Sequence, residues 1–181
     1  MKSDPMSRKC FLGVFPSDVL PSKTLCYPSC LIANVDSQYL PGSHWVAFYF
    51  TALGNGEFFD SYGNPPDFYN DDFTRFISRG SQNKWTYNST PLQGEFSNVC
   101  GEYAIFFLQH RTRGMPLTQI VNMFTKNTLH NDRMVWKFCK KRFPRIGDME
   151  TQHRTAVNQM AKKKQPGRLT DSYNAYIDLK P

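Results

Sequence analysis

With 181 residues, the chain is long enough for one domain with a sizeable core and short for two. Its 40% hydrophobic and 15% aromatic residues exclude an intrinsically disordered chain, and no apolar run is long enough to cross a bilayer or to resemble a secretion signal. The formal net charge of +7 favours acidic partners. The lack of a signal-like or membrane-spanning segment predicts an intracellular protein with no membrane partner, and we expect a monomer.

The first half of the chain has the pattern of a β-sheet. An apolar run at 10–15 stops at Pro16, and Ser17-Asp18 is suited to cap one helical turn. Segments rich in β-branched and aromatic residues predict four strands, at 31–35, 44–50, 57–62 and 84–88. Between the second and the third, Gly54-Asn55-Gly56 predicts a hairpin turn centred near residue 55.

Helical patterns accompany these strands. Phe73, Phe76 and Ile77 lie at helical spacing, and Gly80 suits the end of that helix. The segment 100–111 consists of residues that favour a helix, and its centre is apolar on all sides. We therefore predict that this second helix is central and buried.

Two further helices and a tail complete the chain. Pro116 is expected at the first position of one helix, and Asn131-Asp132 is expected to cap the last one. Residues 146–181 are polar and basic without an apolar period, so we predict a domain at 1–145 and a loosely held tail at 146–181. The elements predict an α+β fold with a mixed sheet packed on helices.

The cysteines predict free thiols rather than a disulfide framework. There are five, an odd number, and their spacing follows no disulfide pattern. Cys26 and Cys30 together with His44 offer three possible zinc ligands, but a closed structural site needs four and no second Cys/His pair follows. We therefore predict no metal site.

The positive charge is confined to the end of the chain. Residues 1–136 hold 11 Lys/Arg and 11 Asp/Glu, whereas residues 137–181 hold 11 Lys/Arg and four Asp/Glu. Such asymmetry is typical of chains that bind nucleic acid, although a solvated helix face with a solubilising tail gives the same pattern. The candidate DNA-binding residues are Lys140, Lys141, Arg142, Lys162, Lys163 and Lys164.

Cys100 is the candidate nucleophile. It stands directly before the apolar helix, where the helix dipole and free backbone N–H groups favour a thiolate, and Gly101 leaves room for a substrate carbonyl. A buried, inert thiol is the alternative.

His44 is the candidate base. It opens the most strand-like segment and can be held there as the base that a thiol nucleophile needs. By contrast, His110 lies ten residues along the same helix as Cys100, about 15 Å away.

Two polar residues complete the candidate site. Asp60 follows the strand paired with that of His44, so it returns towards His44 and can orient the ring, although a bulge or a diagonal approach is needed to bring them together. Gln93 carries an amide that can donate to an oxyanion beside the backbone N–H of Cys100. Taken singly, each is better explained as a polar loop residue.

In this order, these residues resemble the adenovirus-type cysteine endopeptidases, which are relatives of the SUMO-specific proteases. Roughly residues 10–145 are covered, and the resemblance is nearest to proteases of adenovirus-like DNA viruses and Polinton-type transposons. The matching pieces are Phe11–Val14, Gly42–Phe48, Phe58–Gly63 and Gln93–Gly101. Any one piece is weak, whereas four in order are specific.

The resemblance implies a thiol protease with a Cys-His-Asp triad. It assigns His44, Asp60 and Cys100 to the triad and Gln93 to the oxyanion hole, and it places Trp45 beside a narrow channel for glycine. No cofactor is required for this chemistry. The implied substrates are viral capsid or core precursor proteins cut beside Gly during virion maturation, in the virion and the host nucleus.

The chain departs from the adenovirus pattern in two places. Asp60 replaces a glutamate, as in the SUMO-protease branch, so its implied role survives. Residues 75–92 contain no cysteine that could tether an activating peptide, which leaves a non-covalent peptide, or DNA, as possible activators. The alternatives are a de-conjugating protease for a ubiquitin-like modifier, an acetyl transferase, or a basic DNA-binding virion protein on an inactive protease scaffold.

Overall fold

The computed structural model describes residues 1–22 and 26–143, and within them a five-stranded mixed sheet is the central element. The strands lie in the order β1-β2-β3-β4-β5, in which β1–β2 and β4–β5 are parallel and the other pairs are antiparallel. Their bounds are Phe11–Phe15, Ser29–Asn34, Trp45–Phe50, Gly56–Phe59 and Trp85–Tyr87. The predicted α+β fold is confirmed.

Four α-helices accompany the sheet. They are α1 (Asp71–Gly80), α2 (Cys100–Arg111), α3 (Leu117–Val121) and α4 (Thr128–Arg142). Short 3-10 turns occur at Ser7–Lys9, Ser17–Val19 and Pro66–Phe68. Among the described residues, no helix is long and apolar enough to span a membrane.

The chain divides into two compact units, Met1–Trp136 and Lys137–Pro181. The first contains the whole sheet and α1 to α3. Of the second, residues 137–143 are described, and they continue α4 to its end at Arg142. The predicted boundary at residue 145 and the predicted tail lie outside the described residues, so both stay predictions.

Both faces of the central strands are buried, which explains why 45–50 is a continuous apolar run rather than an alternating one. On one face, Phe48 lies edge-on to Phe73 and Phe76 of α1, with centroid distances of 5.3 and 5.1 Å. On the other face, the rings of Phe59 and Phe107 of α2 stack at 4.6 Å and 3°. The sheet is therefore packed between α1 and α2.

The register of β3 and β4 resolves how the two strands are joined. Phe50 pairs with Gly56 and Ala47 with Phe59, so the turn lies at 51–55 and is centred two residues earlier than predicted. Gly56 is already in β4 because its N–H bonds to Lys84 O of the β5 side at 2.9 Å. The left-handed backbone of Gly54 (φ 72°) closes the turn.

Two predicted helix starts are wrong by a few residues. Pro116 has extended backbone and is the N-cap of α3, not its first helical residue. α4 begins at Thr128, three residues before Asn131, and Asn127 Oδ1 accepts the His130 N–H at 3.0 Å in its first turn. Asn131 is instead buried inside the helix, where its side chain bonds to neighbouring loops.

Candidate active site

Three elements end or begin at the same edge of the sheet, and each contributes one candidate residue. His44 immediately precedes β3, Asp60 immediately follows β4, and Cys100 is the first residue of α2. His44 Nε2 lies 2.5 Å from Asp60 Oδ1, and both side chains are buried. Ala47 pairs with Phe59, so continuing this register by one residue places Asp60 opposite Val46, and the carboxylate reaches diagonally to His44, two residues earlier in the chain. No bulge interrupts the paired residues.

The Cys100 thiol is the second hydrogen-bond partner of the His44 ring. Because Asp60 occupies Nε2, Nδ1 is left for the thiol, and the hydrogen bond between Cys100 and His44 is among the interactions that set the pKa of the ring. Cys100 is 4% exposed. The N-cap residue Val99 provides no side-chain hydrogen bond, so the first turn of α2 carries no side-chain cap that would compete at the thiol.

The pKa of His44 is raised from 6.5 to about 9. Burial alone would lower it, because a buried ring loses the hydration of its charged form. The hydrogen bonds to Asp60 and Cys100, together with the negative charges of both, outweigh burial. At neutral pH the ring therefore carries a proton, and a neighbouring imidazolium favours the thiolate form of a cysteine nucleophile.

Four donors fix the Asp60 carboxylate, which is fully buried. Oδ1 accepts from His44 and from the Tyr62 N–H at 3.2 Å. Oδ2 accepts from the Asn64 N–H and from the Tyr69 hydroxyl, both at 2.9 Å. A carboxylate that accepts this many hydrogen bonds keeps its orientation, so it can hold the Nε2 side of the imidazole in place.

Asn88 holds the backbone of Asp60. Its Oδ1 accepts the Asp60 N–H at 2.9 Å, and its Nδ2 donates to the Asp60 carbonyl at 2.7 Å. The backbone hydrogen bonds between β4 and β5 stop where the two strands end, and the buried Asn88 amide takes their place. The sequence identified Asn88 only as the end of a strand-like segment, and its role depends on a contact across 28 positions.

Two tyrosine rings pack against the imidazole. The Tyr62 ring lies 4.8 Å from His44 at 32°, and the Tyr69 ring lies 5.6 Å away at 28°. Electron-rich ring faces favour a cation over a neutral ring. Tyr69 was not singled out in the sequence, because the only signal for it was its place in the loop between Asp60 and α1.

Gln93 is buried in the same cluster. Its Oε1 accepts from the Ser61 hydroxyl at 2.7 Å, and its Nε2 donates to the Ser97 carbonyl at 2.7 Å and to the Tyr62 hydroxyl at 3.3 Å. One amide proton is thus tightly bound, and the other is in a longer bond. The oxyanion role of Gln93 stays a prediction.

Trp45 and Gly101 are brought together as predicted neighbours of the substrate. A Cβ placed on Gly101 would lie 3.9 Å from Trp45 Cδ1, with no other heavy atom of a more distant residue within 4 Å. A side chain here would therefore fill space beside the indole rather than clash with the backbone. The substrate-binding role of both residues stays a prediction.

The remaining sequence predictions fall in two groups. Lys140, Lys141 and Arg142 lie in the last turn of α4 and are exposed, whereas Lys162, Lys163 and Lys164 lie outside the described residues. Within 1–22 and 26–143, no group of three His, Cys, Asp or Glu side chains could hold a metal.

No family model matches the chain, and two proteins similar to it are described here. The chain is 31% identical over 134 residues to "Putative thiol protease R355" of Acanthamoeba polyphaga mimivirus, a match that covers 62% of this chain and 44% of that protein. The ASFV pS273R protease, a solved structure, is 21% identical with a TM-score of 0.46, and the match covers 62% of this chain and 44% of that one.

The chain thus spans less than half the length of the relatives it matches. The sequence similarity to the mimivirus protein supports a viral cysteine protease. Neither of the two is an adenovirus protein, so the finer resemblance to the adenovirus-type enzymes stays a prediction.

Proposed function

We propose that the chain is a cysteine endopeptidase with Cys100 as nucleophile, His44 as its acid–base partner and Asp60 as the residue that orients the ring. The observation that carries the proposal is the buried imidazole between Asp60 and Cys100, with its pKa raised to about 9. Such a charged ring has no evident structural purpose, because burial by itself favours the neutral form. The similarity to a mimivirus protein named as a thiol protease supports the same class.

The proposed reaction has two steps. In the first, the Cys100 thiolate attacks the carbonyl carbon of the scissile peptide, a C–S bond forms, and His44 gives its proton to the departing amine as the C–N bond breaks. In the second, neutral His44 takes a proton from water as the water oxygen attacks the thioester carbon. The C–S bond then breaks to release the Cys100 thiolate, and the carboxylic acid product loses its remaining proton to solvent. Asp60 stabilises the imidazolium in both steps without taking the proton.

The oxyanion of each tetrahedral intermediate would lie at the start of α2. The backbone N–H of Cys100 is one proposed donor and the Gln93 amide is the other. Gln93→Ala should therefore lower kcat by about 10²–10³. A variant with the wild-type kcat would leave Gln93 as a loop residue that is hydrogen-bonded to Tyr62.

The proposed substrates are protein chains with glycine beside the cut bond. Trp45 adjoins Gly101 next to the nucleophile, which supports a narrow channel at that point. Capsid or core precursors, cleaved in the virion or the host nucleus during maturation, are the substrates we propose. New termini identified by mass spectrometry after incubation with such precursors would test this, and selective release of a ubiquitin-like modifier would instead favour the de-conjugating alternative.

A glycine-ended vinyl sulfone peptide, which traps a thiolate in a peptidase site, tests the class of enzyme. The wild type and Cys26→Ala should be labelled, and Cys100→Ala and His44→Ala should not. Cys26 is the matched control because it is an exposed thiol outside the site. Labelling that survives in Cys100→Ala, or that moves to Cys139, would contradict the proposal.

A further inference from the structure

Tyr62 contacts three of the four residues assigned to catalysis. Its ring lies 4.8 Å from the imidazole of His44, its backbone N–H donates to Asp60 Oδ1 at 3.2 Å, and its hydroxyl accepts from Gln93 Nε2 at 3.3 Å. The hydroxyl also lies 3.5 Å from the Ser97 carbonyl, to which it donates.

The hydroxyl of Tyr62 is kept neutral. Burial raises the pKa of Tyr62, and the negative charges of Cys100 and Asp60 raise it further. A neutral phenol has one proton to donate and lone pairs that accept. It can therefore receive the Gln93 N–H while its own proton points to Ser97, an arrangement that a phenylalanine cannot reproduce.

The Gln93 amide is held at three points, and Tyr62 is the weakest of them. Ser61 fixes the carbonyl oxygen and Ser97 takes one amide proton, both at 2.7 Å, whereas the second proton is in the 3.3 Å bond to Tyr62. The N–H group in the longest hydrogen bond is the one that most easily exchanges its acceptor for a stronger one. A developing oxyanion is such an acceptor.

We propose that Tyr62 is a positioning residue that acts on both halves of the site. Its ring face stabilises the His44 imidazolium. Its hydroxyl accepts a hydrogen bond from the second N–H of the Gln93 amide and so keeps that N–H oriented until it donates to the oxyanion instead. This inference rests on the proposed cysteine protease function, and it separates into two effects because the ring and the hydroxyl can be removed one after the other.

Tyr62→Phe removes the hydroxyl and keeps the ring. We expect kcat to fall about tenfold with KM nearly unchanged, because the lost bond orients a group used in the transition state. The alkaline limb of the pH profile should not move, since the ring face remains. Tyr62→Leu removes both, so kcat should fall further and the alkaline limb should shift to lower pH by roughly half a unit or more.

Tyr27→Phe is the matched control. The Tyr27 hydroxyl donates to the Gly80 carbonyl at 2.6 Å, and its ring packs on Phe50 at the opposite end of β3. It should change neither kcat nor the pH profile. Wild-type kcat in Tyr62→Phe together with an unmoved limb in Tyr62→Leu would overturn the inference and leave the protease assignment intact.

A second readout needs no substrate. The pH dependence of Cys100 alkylation by iodoacetamide reports the charge state of His44, and it should shift in Tyr62→Leu but not in Tyr62→Phe or Tyr27→Phe. If Tyr62→Leu does not fold, Tyr62→Phe, which differs by one oxygen, still decides the kcat effect. If the wild type fails to take the vinyl sulfone probe, the protease function fails and the inference falls with it.

Discussion

At the scale of the residue, the site depends on how a buried histidine keeps its charge. Desolvation works against the imidazolium, and the hydrogen bonds and charges of Asp60 and Cys100 work for it. The carboxylate can do this because four donors, from His44, Tyr62, Asn64 and Tyr69, hold it where it is buried. The proton needed by the leaving amine is thus already on the ring before substrate arrives.

The first prediction concerns the alkaline limit of activity. Below its pKa of about 9, His44 carries the proton that the leaving amine requires, and as the pH rises through that value the proton is lost. We therefore expect kcat/KM to be maintained from neutral pH upward and to fall with a midpoint near pH 9. Initial rates on a short peptide, from about pH 5 to about pH 10, measure this. A fall already complete at about pH 7 would contradict it.

The second prediction concerns the carboxylate. Asp60→Asn keeps the size of the side chain and removes the charge that helps to hold the imidazolium, so the alkaline limb should move to lower pH and kcat/KM should fall by about 10² or more. Asp67→Asn, an exposed acidic residue of the same loop, is the control and should behave as the wild type. Equal pH profiles in the two variants would show that Asp60 does not orient His44.

At the scale of the element, α2 must be held against β4, because one supplies Cys100 and the other leads to Asp60. Arg111 at the end of α2 forms two bonds to Glu57 of β4, at 2.6 and 3.0 Å, and it lies over the Tyr49 ring at 4.5 Å. The side chains of this ion pair are 14% and 11% exposed. The Arg111–Glu57 ion pair and the Phe59–Phe107 ring stack therefore attach α2 to β4 at two points along the helix.

The third prediction tests that connection. Glu57→Gln leaves the guanidinium of Arg111 buried without its counter-charge, which typically costs about 3–5 kcal/mol in the free energy of unfolding. Asp72→Asn breaks the Asp72–Arg75 pair of α1, which is exposed, and should cost less than about 1 kcal/mol. Urea unfolding followed by circular dichroism compares the two. Equal losses would mean that the Glu57–Arg111 pair is no more than a surface contact.

How well the sequence predicted each element depended on how local its cause was. The bounds of α2 were predicted correctly, since its apolar residues and the preceding loop lie in one segment. The turn between β3 and β4 was predicted two residues too late, and the choice between a bulge and a diagonal approach was left open, because only pairing across the sheet decides both. Asn88 and Tyr69 were not found, because each reaches Asp60 from a segment whose own pattern carries no catalytic signal.

At the scale of the whole molecule, the candidate catalytic residues and the excess positive charge belong to different parts of the sequence. The triad residues belong to residues 1–136, where Lys/Arg and Asp/Glu are equal in number, and the formal excess belongs to residues 137–181. Lys140, Lys141 and Arg142 place part of that excess on exposed positions of α4. We propose that residues 137–181 bind DNA by contacts of their Lys and Arg side chains with the backbone phosphates. We also propose that DNA binding can stimulate the enzyme without taking part in the chemistry.

The last prediction is that this binding is sequence-independent and strongly salt-dependent. Each phosphate neutralised releases counterions, so log affinity falls by ~0.9 for each log unit of salt per contact. Changing Lys162, Lys163 and Lys164 to Gln should weaken binding to a DNA duplex and reduce the slope by up to about 3, measured by fluorescence anisotropy. The matched control changes Lys2, Lys9 and Lys84, which are exposed lysines of the neutral part, and should keep the wild-type slope. Both variants should cleave a short peptide at the wild-type rate without DNA, because neither alters the triad. Equal slopes in the two variants would mean that the basic end of the chain is a solvated surface rather than a DNA-binding one.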